Sequence, residues 1–136
     1  MRRLFFLVLA LSGCKPAGHD PQAAALYRGE GRDRLCLLPD GDTYRAGLIV
    51  YGTGNTNCSL TGTAVLDGLT LAITPSGDPA CTVTAAMTNG AARFGALPAS
   101  CVYYCAPGVD PAGRSFHKID GADPGEATDY AGERLC

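Results

Sequence analysis

Cys101 and Cys105 stand four residues apart with Tyr103 and Tyr104 between them, the sharpest chemical constellation in the chain. Two thiols that near can cycle between dithiol and disulfide. Redox dithiols usually take the CxxC spacing at a helix N-terminus, where the thiolate is stabilised, and CxxxC departs from it. A second group is Ser115, His117 and Asp120. A Ser-His-Asp triad needs a nucleophile on a rigid turn and an oxyanion hole, and the chain has no GxSxG elbow. His117 therefore reads as a surface histidine. The other histidine, His19, lies in a polar leader. Asp120, Asp123, Glu126 and Asp129 recur every three residues. Calcium sites use such oxygens, but the run lacks the ligand spacing and glycine position of an EF-hand loop and reads as a solvated acidic segment. No metal or cofactor is expected, and the chain is expected not to be an enzyme.

The remaining thiols give the framework that must position these residues. Cys36, Cys58, Cys81, Cys101, Cys105 and Cys136 make an even six, at spacings of 22, 23, 20, 4 and 31. These spacings match no zinc pattern. In an exported small domain six cysteines imply three disulfides, with 15 connectivities open. Cys136 is the last residue, and a bonded terminal cysteine ties down an end that otherwise frays. It is expected to clasp the tail to the domain, with Cys105 as the favoured partner.

A seventh cysteine, Cys14, answers to a different chemistry. Arg2 and Arg3 precede eight apolar residues, 4–11. This is the positive-then-apolar pattern of an export signal, and it is far short of the roughly 20 residues that span a bilayer. Leu11-Ser12-Gly13-Cys14 follows and resembles the lipobox of bacterial lipoproteins. The resemblance implies removal of residues 1–13 and a diacylglycerol thioether on Cys14. It also implies acylation (palmitate or a similar chain) of the new amino group. More than one acyl chain is needed for stable anchoring, and this arrangement supplies it. Lys15 rather than Asp after the cysteine implies, on the same resemblance, the outer membrane, with the domain facing the periplasm or the exterior.

Without residues 1–13 the net charge moves from −2 to −4, because Arg2 and Arg3 leave with them. With no basic patch and no Trp, nucleic acid is excluded as a partner class. The remaining 123 residues suffice for one domain with a modest core. Residues 14–31 read as anchor and tether, with at most a short helix or strand over 22–27. Residues 32–136 read as a single β-rich domain whose tail, from 98, is irregular and rich in Gly, Pro and Asp.

Three turn signals organise the domain: Asp40-Gly41, Asp67-Gly68 and Asn89-Gly90, each between apolar runs. Such pairs favour type I′ turns, in which both central residues take φ > 0. Each hairpin's first strand carries one cysteine. Cys58, Leu60, Gly62, Ala64 and Leu66 alternate with Ser59, Thr61 and Thr63, and Cys81, Val83, Ala85 and Met87 alternate with Thr82, Thr84, Ala86 and Thr88. Period two with one apolar face means a half-buried antiparallel sheet, with the cysteines on its buried side. Small inward residues let the sheet curl. The expected fold is all-β: a small antiparallel meander of about six strands, in three hairpins, curled into a barrel or half-barrel and stapled by disulfides. Residues 115–120 suit a final strand.

The expected function is that of a cell-envelope lipoprotein acting as a non-catalytic binding or inhibitor-like module, with an envelope protein or a small ligand as partner. Its general plan is similar to that of small barrel lipoproteins that inhibit lysozyme or secreted proteases. That similarity covers the anchor and β architecture and carries over no residues. Tyr103 and Tyr104, pinned by flanking disulfides, are the candidate contact, since rigid aromatics are enriched at interfaces. Two alternatives remain open: a thiol-redox or metal-binding protein using Cys101 and Cys105, and a purely structural envelope component.

Overall fold

A computed structural model describes Gly13 and residues 23–136. The signal segment, Cys14 and most of the expected tether lie outside the described residues.

Eight antiparallel strands close into a barrel. They are β1 (Ala25–Arg28), β2 (Arg34–Asp40), β3 (Thr43–Tyr51), β4 (Asn57–Asp67), β5 (Thr70–Pro75), β6 (Val83–Thr88), β7 (Ala91–Phe94) and β8 (Ser115–Ile119). Each strand pairs with its neighbours in sequence, and β1 pairs with β8 to close the ring. The three expected hairpins are β2–β3, β4–β5 and β6–β7. The additional strands are β1 and β8. Residues 115–120 read as a strand from sequence, whereas β1 fell within the expected tether, overlapping the short helix or strand expected at most over 22–27. The tether therefore ends before residue 25, and the domain begins earlier than residue 32. The physical reason is that Ala25, Leu26 and Tyr27 are all buried, so β1 shows no alternation to reveal it.

The inward face is apolar on every strand. Tyr27, Leu35, Leu37, Leu48, Leu60, Leu71, Ile73, Phe94 and Phe116 fill the interior together with Ala46, Ala64, Ala85 and Ala92. An eight-stranded barrel has an interior just wide enough for side chains to fill, and mixing small with large residues fits its taper. Phe94 and Phe116 meet edge to face with centroids 5.3 Å apart. Gly62 is required where β4 runs against β5: a Cβ there would lie 2.7 Å from the Pro75 Cα.

The turns differ from the type I′ expectation in two of three cases. Asn89 and Gly90 both take positive φ, at 45° and 77°, as type I′ requires. In the β2–β3 and β4–β5 hairpins the register pairs Asp40 with Thr43 and Asp67 with Thr70. The two-residue loops are thus Gly41-Asp42 and Gly68-Leu69, with only the glycine at positive φ. A glycine at the first loop position is the type II′ arrangement, and Asp40 and Asp67 are the last strand residues.

The connections sort to opposite ends. The three tight turns, the start of β1 and the end of β8 surround one end, here called the mouth. Residues 29–33, 52–56, 76–82 and 95–114 cover the other.

A second, smaller core lies outside the barrel. Leu26 and Ile49 point outward from β1 and β3 and pack with Cys36, Ala127 and Leu135. The tail crosses this wall and ends in the Cys36–Cys136 disulfide. Two expectations are corrected here. Cys136 clasps the tail through Cys36 rather than Cys105, and Cys36 faces the outer wall while Cys58 and Cys81 face the interior. β2 is covered on both faces, Leu35 and Leu37 inside and Cys36 under the tail. Polar alternation is therefore absent from it. The tail itself contains one 3-10 turn, Pro124–Glu126.

Candidate functional site

The β7–β8 connection folds over the end opposite the mouth and plugs it. Pro98 leads into a 3-10 helix, Ala99–Tyr104, in which the Cys101 N–H donates to the Pro98 carbonyl at 2.9 Å. Side chains three apart eclipse in such a helix. Cys101 and Tyr104 accordingly turn toward the barrel while Val102 and Tyr103 turn away. Cys101 is buried and bonded to Cys81, and Cys105 is bonded to Cys58. The Ala106 N–H donates to the Asn57 carbonyl at 3.0 Å, extending the attachment to β4. Three residues thus lie between two covalent staples, one into β4 and one into the connection just before β6.

This pairing corrects the redox expectation. Cys101 and Cys105 are not each other's partners and present no dithiol. They hold a loop.

What they hold is the tyrosine pair. Tyr103 is 90% exposed, and Val102 beside it is 57% exposed. Tyr104 is half-buried, and its hydroxyl donates to Asp78 Oδ2 at 2.9 Å. The rings meet edge to face, centroids 5.3 Å apart and planes at 89°, an arrangement that suits the aromatic quadrupole. Loss of hydration raises the Tyr104 phenol above its usual value. The hydrogen bond to Asp78, the Asp78 charge and the neighbouring Tyr103 add to this. Tyr104 therefore stays a neutral donor and acts as the peg, and Tyr103 is the projecting ring. Sequence reasoning named both residues as the candidate contact. The structure separates them, with Tyr104 packed and Tyr103 projecting, over the end away from the hairpin turns.

Asp33 is the residue that sequence reasoning missed. Its side chain is only 4% exposed and accepts from Arg114 Nη1 at 2.9 Å and from the Tyr51 N–H at 2.8 Å. Arg114 Nη1 also donates to the Tyr51 carbonyl at 2.8 Å. This network ties the root of the plug to β2 and β3. A lone Asp before a strand gives no sign of such burial, because its partner is 81 residues away.

The other chemical candidates are dispersed. Ser115 and His117 are exposed on β8, Asp120 is exposed just beyond it, and among the described residues no hydrogen bond joins them. Of the acidic run, Asp123 caps the 3-10 turn by accepting from the Gly125 N–H at 2.8 Å. Glu126 pairs with Arg28 at 2.9 Å, and Asp129 accepts from the Glu133 N–H at 2.9 Å. These carboxylates shape the tail. No cluster of three or more metal-ligating side chains occurs among the described residues. Cys14, the expected lipidation site, lies outside them.

Fold and plug together define a small eight-stranded antiparallel barrel, stapled by three disulfides, that presents a rigid aromatic knob at its covered end. No protein-family model matches the chain, and no curated protein or solved structure resembles it at a significant level.

Proposed function

We propose that this chain is a lipid-anchored envelope protein that works as a non-catalytic binding module of the inhibitor type, with Val102 and Tyr103 as its contact to a partner protein. One observation carries the reading. Tyr103 is 90% exposed on a loop stapled to the barrel on both sides. An exposed aromatic normally loses conformational freedom when a partner immobilises it, at a cost of about 0.5–1.5 kcal/mol for a rotamer-rich side chain. The staples and the Tyr104 peg remove backbone freedom beforehand. Preorganised aromatic anchors of this kind dominate interface energetics.

The geometry suits an anchor at Cys14. β1 begins at the mouth end, so the chain from the membrane enters there. The eleven-residue path from Cys14 to Ala25 reaches at most about 40 Å, and Tyr103 lies at the end of the barrel opposite the one the chain enters.

The anchor is tested by the intact mass of the membrane-extracted protein. Residues 14–136 with three acyl chains, and no alkylation before reduction, is the expected result. The contact is tested with a photo-crosslinking phenylalanine analogue at position 103 of the lipidated protein in its envelope, with position 63 on the bare barrel wall as control. Discrete adducts from 103 alone are expected. Equal labelling from both positions, or none from 103, overturns the assignment.

A further inference from the structure

The mouth is a second candidate site, concave rather than projecting, at the opposite end from Tyr103 and independent of it. Between the three hairpin turns lies an open cavity of about 720 Å³. Small-molecule sites span roughly 300–1,000 Å³ and combine an apolar lining with a few polar groups. Here the floor is Tyr27, Tyr44, Leu66 and Met87, and Leu69 stands at the rim, 69% exposed. Tyr27 and Tyr44 are almost fully buried and close the floor, and the apolar surface comes from Leu66 and Leu69. The Met87 thioether is polarisable and adaptable, and burial raises the Tyr27 phenol so that it stays neutral.

Charge sets the class of ligand. Asp42 is the only charged residue among the described residues lining the cavity. Asp40 and Asp67 end the strands that lead into the same turns. An anion entering the mouth would meet the Asp42 carboxylate with no cation in the lining to offset it, since Lys118 beside Gly90 lies outside the lining, as Asp40 and Asp67 do. A cation meets a carboxylate, which attracts it.

We propose that the mouth binds a small organic cation, its aromatic or aliphatic body against Leu66, Leu69 and Met87 and its ammonium beside Asp42. The three turns make a preformed rim, because two-residue loops leave little freedom to close or open.

The test uses three probes of similar shape and different charge: phenethylamine, 2-phenylethanol and phenylacetate. The protein is the full 136-residue chain with Cys14→Ser, produced in an oxidising cytoplasm so that its three disulfides form, and labelled for amide NMR. Phenethylamine is expected to shift the amides of residues 41, 42, 68, 69, 89 and 90 saturably. The neutral alcohol binds at the same amides about five-fold more weakly, as expected for one exposed charge pair. Phenylacetate gives no saturable shift. Asp42→Asn, a substitution well tolerated in a turn, lowers the amine to the affinity of the alcohol. Absence of saturable shifts at the mouth with every probe overturns the site. An amine no tighter than the alcohol or the acid overturns the charge preference, and this comparison needs no variant. A normal amine affinity in Asp42→Asn removes Asp42 from the site.

Discussion

Leu135 lies directly on Gly47. The strand position is bare, and a Cβ there would fall 2.8 Å from the Leu135 carbonyl oxygen. Gly47 is also the register partner of Cys36, whose sulfur is bonded to Cys136 one residue further along the tail. A missing side chain and a disulfide thus act at one spot to seat the last residues against β2 and β3. Leu26, Ile49 and Ala127 complete the contact.

Gly47→Ala is therefore expected to lift the tail. Overpacking costs about 1–3 kcal/mol, and the loss should be local. Hydrogen exchange should rise in residues 127–136 while the amides of β4 to β7 keep their protection.

Removing the clasp gives a larger effect. The disulfide closes a loop of 100 residues, for which the chain-entropy account gives about 4.7 kcal/mol at most. The double variant Cys36→Ser/Cys136→Ser should lose about 2–5 kcal/mol in denaturant titrations. Its far-ultraviolet signature should remain that of a β protein, since the other two staples and the barrel core are untouched.

Asp33→Ala should be costly for so small a change. It leaves the Tyr51 N–H without its acceptor and Arg114 without its carboxylate. An orphaned buried donor costs about 1–3 kcal/mol. Arg114 is partly solvated, which limits the charge penalty that a fully buried pair would carry. A loss of about 2–3 kcal/mol in chemical denaturation is expected. Asp33→Asn should lose less, because its amide oxygen can still accept from Tyr51.

The two tyrosines should separate stability from recognition. Tyr103→Ala should change stability by no more than about 0.5 kcal/mol, as for other exposed sites, and should abolish crosslinking from a neighbouring probe at position 102. Tyr104→Phe should loosen the plug by deleting the bond to Asp78, which amide exchange at residues 101–105 would report.

Stability should fall at alkaline pH. The phenols of Tyr27 and Tyr104 are both raised above the ordinary value of 10.0 in the folded chain. Below that value both states hold their protons and the stabilisation is whole. As pH rises above it, the unfolded chain releases protons first, and stability drops until the folded phenols also ionise. Melting temperature measured upward from pH 9 should decline less steeply for Tyr104→Phe than for the parent chain.

Local chemistry made much of this protein readable in its sequence. The three turn pairs, the period-two alternation of β4 and β6 and the even set of six cysteines each act over a few residues or through simple counting. They specified an all-β, disulfide-stapled barrel or half-barrel and its three hairpins. The tyrosines between Cys101 and Cys105 were visible for the same reason. Tertiary structure decided everything that depends on what covers a strand or lies far along the chain. β1 and β2 carry apolar residues on both faces because the tail packs against them from outside, so β1 had no alternation to read. Which cysteines bond is a matter of which strands and loops meet, and it turned an apparent redox pair into two separate staples. The burial of Asp33, the choice of Tyr103 as the projecting ring and the cavity between the turns likewise arise only when the barrel closes. Closure brings residues tens of positions apart within bonding distance, and no local pattern encodes it.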